Sequence, residues 1–278
     1  MESMLNSIES LLIIAGQGAY PVMLAAAARN QGVKRIEVLV FKGETNRELI
    51  RLADKVHALA LGQFQPFLDT IKSTGIQHAV MVGQIGMQNV FRLRLDALAR
   101  SHFKKLKTLN AHTIYGTVAD EIEKLGVTVL PGNSFMECYT PEAGLLSRRG
   151  PTEQEQADID LGLRLVKGMS AFEIGQTVAT KQGVIIAVEA WEGTNKTIRR
   201  AGQVGKAGTV IVKVPKVGHD MRFDIPVVGA KTFKVMRRAK VSCLAIEAGK
   251  TILLEKEKLI ELANRYNMAF VAVKQSEE

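Results

Sequence analysis

Asp220 and Asp224 are the only acids between Thr194 and Lys240, a stretch that carries 12 Lys and Arg. Two carboxylates in so basic a surround, KVPKVGHDMRFDIPVVG, suit chemistry on a phosphoric anhydride. Arg199, Lys213, Lys216 and Arg222 would neutralise charge developing on a phosphoryl group, while the acids hold a cation and water. If the segment runs extended beyond the turn that Gly218 permits, Asp220, Arg222 and Asp224 share one face and Met221 and Phe223 bury.

A second acid pair, Glu189 and Glu192, ends an apolar strand pattern and enters EGTNKTIRRAG. There Thr194 reads as the cap of a helix whose first turns carry Lys196, Arg199 and Arg200. Mg²⁺ is a hard ion that takes one or two carboxylates and fills its shell with water and substrate phosphate oxygens. Asp220 and Asp224, with Glu189 beside them, are the candidate ligands. The five histidines show no zinc-ligand spacing and no G-x-S-x-G elbow is present, so zinc and serine-nucleophile chemistry have no support.

Two glycine turns offer phosphate contacts. Gly16-Gln17-Gly18 follows the apolar run LLIIA and precedes a helix opened by Pro21, a geometry that can aim backbone N–H groups and a helix dipole at an anion. Gly83-Gln84-Ile85-Gly86 follows HAVMV in the same form. An NAD fingerprint would need a third glycine where Tyr20 and Pro21 stand, and an acid where Lys42 stands.

The elements that must position these residues alternate. LLIIA (11–15), IEVLVF (36–41), VHALAL (56–61), HAVMV (78–82) and VTVL (127–130) read as strands, separated by helical patterns at 44–54, 64–74, 96–107 and 116–125. That order predicts a parallel, doubly wound sheet over 1–135. Residues 136–151, rich in proline and glycine, read as a linker or crossover. A second α/β domain follows over 152–278: a helix capped by Thr152 with Glu155, a helix at 170–181, strands at 183–190, 208–214, 241–248, 251–254 and 268–273, and helices at 194–204, 231–239 and 256–266.

The 278 residues are 46% apolar, enough for two cores, and carry a formal charge of +9. Two cysteines cannot build a disulfide framework, which fits a reducing, cytoplasmic setting. No apolar run approaches the roughly 20 residues of a membrane span. Four Tyr and one Trp make base stacking sparse, so a nucleic-acid partner is disfavoured despite the charge.

Four blocks in order, IIAGQGAYP, VEAWEGTNKTIRRAG, VKVPKVGHDMRFDIPVVG and IEAGKTILLEKEKLIELA, resemble the LpxI family of UDP-2,3-diacylglucosamine pyrophosphatases of lipid A biosynthesis, over essentially the whole chain. The resemblance implies hydrolysis of UDP-2,3-diacylglucosamine to UMP and 2,3-diacylglucosamine 1-phosphate with a divalent cation. It also implies a Rossmann-like N-terminal domain and a distinct C-terminal one. Asp224 takes the place of the aspartate in the family's M-R-F-D-x-P block, with Asp220 and Arg222 in the same block. Glu189, Glu192, Gly193, Thr194, Arg199 and Arg200 match the E-G-T block, and Gly16 and Gly18 match the first glycine turn. Asp224 and Asp220 are accordingly the expected catalytic residues. Gly16, Gln17, Gly18, Gly83, Gly193, Thr194, Arg199, Arg200, Lys213 and Arg222 are the expected substrate contacts. Peripheral contact with an anionic inner leaflet and a homodimer are further expectations. The rival reading is a non-catalytic nucleotide-sugar or dinucleotide binder, which would hold ligand without metal and release no UMP.

Overall fold

A computed structural model describes residues 5, 7–43, 46–85, 94–172 and 174–274. Gly86 of the second glycine turn lies outside them. The chain packs as two units, one formed by 1–136 together with 220–224, the other by 137–219 and 225–278.

In the first unit five strands, β1 (Ser10–Ala15), β2 (Arg35–Phe41), β3 (Lys55–Leu59), β4 (His78–Val82) and β5 (Thr128–Leu130), form a parallel sheet in the order β3-β2-β1-β4-β5. Its helices are α1 (Tyr20–Asn30), α2 (Arg47–Leu52), α3 (Phe64–Thr74), α4 (Ala97–Phe103) and α5 (Ala111–Lys124). Strand β1 is buried almost end to end, as a parallel strand covered on both faces must be. α3 stops where Gly75 takes a left-handed φ of 67°. The chain winds outward in both directions from the β1–β4 pair, so the switch point of the sheet falls at their carboxyl ends, directly before the two glycine turns.

The second unit holds a mixed sheet in the order β6-β13-β11-β9-β7-β8. Its strands are β6 (Gly144–Leu145), β7 (Thr177–Lys181), β8 (Val184–Val188), β9 (Thr209–Lys213), β11 (Val241–Glu247) and β13 (Ala269–Val273); β10 (Val227–Val228) and β12 (Ile252–Leu253) pair separately. α6 (Glu153–Met169) covers one face with Ile159, Val166 and Met169. α7 (Thr194–Gly205), α8 (Ala230–Arg238) and α9 (Lys256–Arg265) cover the other with Ile198, Phe233, Met236 and Leu259.

Three expectations change. The helix expected over 170–181 is a single 3₁₀ turn (Ser170–Phe172) followed by β7, because Thr177 to Lys181 supply β-branched residues to an antiparallel ladder with β8 and β9. Of residues 136–151, read as a linker, 137–151 are built into the second unit. There β6 pairs with β13, and Arg149 grips Glu155 through two hydrogen bonds of 2.7 and 3.0 Å. Finally, 220–224 leaves the second unit to pack with the first.

Candidate active site

The carboxyl edge of the first sheet is built by close backbone approach. Gly16 N–H donates to the Val82 carbonyl at 2.8 Å and Gln17 N–H to the Gln84 carbonyl at 2.7 Å, while Gln84 N–H returns a bond to Gln17 at 3.1 Å. A Cβ on Gly16 would stand 2.6 Å from the Gln84 carbonyl oxygen, and one on Gly83 would stand 2.8 Å from the Gly16 carbonyl carbon. No side chain fits either position. The same contacts overturn part of the expected phosphate role: the N–H groups of Gly16 and Gln17 are spent inside the protein, so these residues shape the edge instead of donating to a ligand.

From this edge a chain of bonds reaches the acids. Tyr20, which opens α1, is buried, so its hydroxyl stays neutral, and it donates to the Gly132 carbonyl just past β5. Gly132 N–H in turn donates to the Met221 carbonyl at 2.7 Å. Residues 220–224 are therefore moored at the carboxyl end of β5, through Gly132, which Tyr20 of α1 also holds.

This strap is not extended, contrary to expectation. Asp224 N–H donates to the Asp220 carbonyl at 3.2 Å, closing a helical turn, and all five residues are half-buried. A local carboxylate drives the turn, since Asp220 accepts from Arg222 N–H at 3.0 Å in an Asx-type arrangement. Arg222 Nε lies 3.1 Å from both Asp220 oxygens, and its Nη2 is 2.8 Å from Oδ2. The rest of the guanidinium reaches α5, with Nη1 2.9 Å from Glu123 and Nη2 3.1 Å from Asp120. Phe223 packs against His112 and Tyr115 of the same helix, at ring separations of 5.7 and 5.9 Å.

Two assignments move in consequence. Arg222, expected as a phosphate ligand, is committed to three carboxylates, and the hydrogen bond to Asp220 leads the causes that raise its pKa. Asp220, expected as a metal ligand and catalytic acid, has both oxygens covered by that guanidinium. Desolvation opposes its ionisation, but the Arg222 side chain and backbone outweigh this and hold its carboxyl below the usual range. Asp220 and Arg222 thus position the strap that also carries Asp224.

The second unit builds its own cluster. Gly193, at φ 81°, sits at the N-cap of α7, which no side chain caps, so Thr194 is the first helical residue and not the expected cap. Its hydroxyl points inward, 3.1 and 3.2 Å from the two oxygens of buried Glu189. Lys213 Nζ donates to the same hydroxyl at 3.1 Å, and Thr177 Oγ1 lies 3.2 Å from it. Lys213 is only 6% exposed, so it serves this interior network and not an exposed phosphate surface. Gly175 makes the arrangement possible: a Cβ there would meet the Glu189 Cγ at 2.3 Å. Glu192 accepts from Arg200 at 2.5 Å; desolvation works against its charge, but Arg200 and backbone N–H groups prevail and lower its pKa. Arg199 and Lys196 stay exposed, and the Asn195 Oδ1 is buried with no hydrogen-bond partner among the described residues.

Among the described residues no group of three or more His, Cys, Asp and Glu is gathered so that it could hold a metal ion. With both Asp220 oxygens taken by Arg222, a hard cation here would have to draw most of its ligands from water and substrate oxygens. Sequence reading missed Tyr20, Asp120, Glu123, Gly132, Gly175 and Thr177. Only Gly175 carried a local signal, as a glycine two residues before the β-branched run that opens at Thr177.

The LpxI N-terminal domain model matches residues 10–139 and the LpxI C-terminal domain model matches 142–271. The chain belongs to the LpxI family. A relative in Caulobacter vibrioides, the UDP-2,3-diacylglucosamine pyrophosphatase LpxI, is 27% identical over 282 aligned positions, covering 96% of this chain and 98% of the relative. Among solved structures, the biotin carboxylase subunit of pyruvate carboxylase aligns at 12% identity, over 71% of this chain and 41% of its own, with a TM-score of 0.27. The biotin carboxylase domain of a Hydrogenobacter thermophilus 2-oxoglutarate carboxylase covers the same shares at 14% identity and a TM-score of 0.26. Overlaps this low carry nothing about this LpxI chain.

Proposed function

We propose that this LpxI-family chain hydrolyses the pyrophosphate bond of UDP-2,3-diacylglucosamine, giving UMP and 2,3-diacylglucosamine 1-phosphate for lipid A biosynthesis. The observation that carries the reading is the match of both LpxI domain models in order along the chain, joined to a full-length relative of that name. Asp224 orients the attacking water and takes its proton. Asp220 and Arg222 fix the turn from which Asp224 projects, and the bond series through Tyr20 and Gly132 keeps that turn at the sheet's switch point. A divalent cation such as Mg²⁺ would be held by Asp224 together with substrate oxygens and would supply charge neutralisation at the anhydride. In the second unit, Gly193 at the head of α7 and exposed Arg199 offer contacts for a phosphate, while the Thr194 hydroxyl and Arg200 are engaged by Glu189 and Glu192.

No helix among the described residues is long and apolar enough to cross a membrane. Because the substrate is a lipid, exposed Lys196, Arg199 and Arg200 on α7 favour peripheral contact with an anionic leaflet. The deciding test is incubation with UDP-2,3-diacylglucosamine and Mg²⁺, with and without EDTA. UMP release that EDTA stops is the expected result. Binding without UMP would establish the non-catalytic reading instead.

A further inference from the structure

The proposed chemistry makes no use of Phe172, Trp191 and Val217. Phe172 is 75% exposed, the highest of the large apolar side chains among the described residues. Val217 is 62% exposed, and Trp191, the chain's only tryptophan, is 52% exposed. Single exposed apolar residues need no explanation. These three, however, stand on loops that the second unit gathers at one edge of its sheet. Val217 N–H donates to Ser170 Oγ at 2.9 Å, two residues before Phe172. Gly175 N–H donates to the Glu189 carbonyl at 2.9 Å, and Val214 N–H to the Gln176 carbonyl at 3.2 Å. The 3₁₀ turn, the loop after β8 and the loop after β9 therefore meet at the carboxyl ends of β8 and β9.

The same edge is basic. Residues 164–173, 191–200 and 213–218 together hold seven Lys and Arg against two acids, Glu173 and Glu192, and Glu192 is taken by Arg200. Lys167 and Lys196 are exposed and Lys216 is half-buried. Aromatic and aliphatic side chains accompanied by lysines suit an anionic bilayer surface, where rings enter the headgroup boundary and cations meet lipid phosphates. Resting on the proposed activity, which takes a lipid as substrate, we infer that this edge of the second unit docks on an anionic bilayer. Phe172 and Val217 enter the headgroup boundary, Trp191 sits at its level, and Lys167, Lys196 and Lys216 meet the phosphates. The buried Glu189–Thr194–Lys213 network holds the loop after β8 and the head of α7 firm behind them.

The test sediments full-length protein with vesicles of phosphatidylethanolamine and phosphatidylglycerol, without substrate. Wild type should partition onto these vesicles and more weakly onto neutral phosphatidylcholine, and its single tryptophan should shift its emission to the blue on binding. Phe172→Ser combined with Val217→Ser should lower the partition coefficient about tenfold or more. Both side chains are exposed, so thermal melting should find this variant folded. Its UMP release from a short-chain, water-soluble analogue of the substrate should equal that of wild type. No partition or no blue shift in wild type, or equal partition by the folded variant, would overturn the inference. Self-association of wild type without vesicles, abolished in the same variant, would assign the edge to a second copy and overturn it too. Vesicle binding is read without substrate, so absent UMP release from wild type would remove the proposed activity alone.

Discussion

The two clusters use the same ingredients to opposite ends. In the strap of the first unit, Asp220 is saturated by Arg222, and that arginine is saturated by Asp120 and Glu123 of α5. Charge there is consumed in fixing backbone geometry at a half-exposed surface. In the second unit, Glu189 and Lys213 are both buried and meet through one hydroxyl, that of Thr194. Charge there is held inside, where an unpaired group would cost several kcal/mol. Both clusters join acids and bases at strand ends, yet partners, not charge counts, set their roles. The strap fixes the turn that carries Asp224, whereas the interior cluster sets the direction of α7.

The sharpest way to break this contrast is Asp224→Ala. If the strap exists to present that carboxylate, UMP release should fall on the order of a hundredfold or more with the thermal midpoint little changed. Near-wild-type turnover by the folded variant would reassign the strap to structure alone. Next in size is Gly175→Ala. The added methyl must displace the Glu189 side chain, so the second unit should lose about 1–3 kcal/mol in a melt. A wild-type midpoint would show that the interior cluster tolerates rearrangement.

Arg222→Lys follows. Lysine keeps the charge but cannot span Asp220, Asp120 and Glu123 with one planar fork. Turnover should drop about tenfold, since an ångström of misplacement can cost up to about a hundredfold. Stability should move by no more than about 1 kcal/mol, because each ion pair is partly exposed. A large stability loss with normal turnover would invert the roles assigned to the two clusters.

How much of this was legible from the chain alone differs between the clusters for a physical reason. The five parallel strands announced themselves, because β1, β2 and β4 are buried on both faces and read as apolar runs that only Glu37 of β2 interrupts. The helix after Thr152 was equally plain, since its capping box is local in sequence. The capping box of Asn110 with Thr113 starts α5 well before the expected 116. Asp220 and Asp224 were visible as the lone acids of a basic stretch. Their partners were not: Asp120, Glu123 and Gly132 lie some 90 to 100 residues away, and an extended reading of 220–224 could not reveal that Asp220 would bend the chain toward its own Arg222. Thr194 has a residue type that fits a cap, and only the position of Gly193 at φ 81° turns its hydroxyl inward.

Acid sharpens the comparison further. Asp220 has a folded-state pKa below its unfolded value, so the stability it contributes is fully present above the unfolded value near 4 and is lost as pH falls through the folded one. The stability gap between wild type and Asp220→Asn should therefore hold steady from about pH 8 down to about pH 5, then shrink in more acidic buffer. A gap undiminished at about pH 2 would mean that the Arg222 contact does not depend on the ionised form.

The smallest effect concerns how tightly the second unit is closed, and its two thiols report it. Cys138 is exposed, while Cys243 lies on β11 with its side chain in the core beside Ala245 and Ala269. Burial, followed by the nearby Glu155, pushes the Cys243 thiol up to about 12, which removes the thiolate that a disulfide reagent needs. Native protein at about pH 8 should therefore label at one thiol, and at two only after unfolding. In Gly175→Ala the second thiol should begin to react, because a strained Glu189 cluster lowers the cost of opening the sheet on which both sit. Equal labelling of both thiols in the wild type would show that the interior is not closed. The buried Glu189–Thr194–Lys213 network would then have water available to it, and the contrast with the strap would reduce to a difference in position.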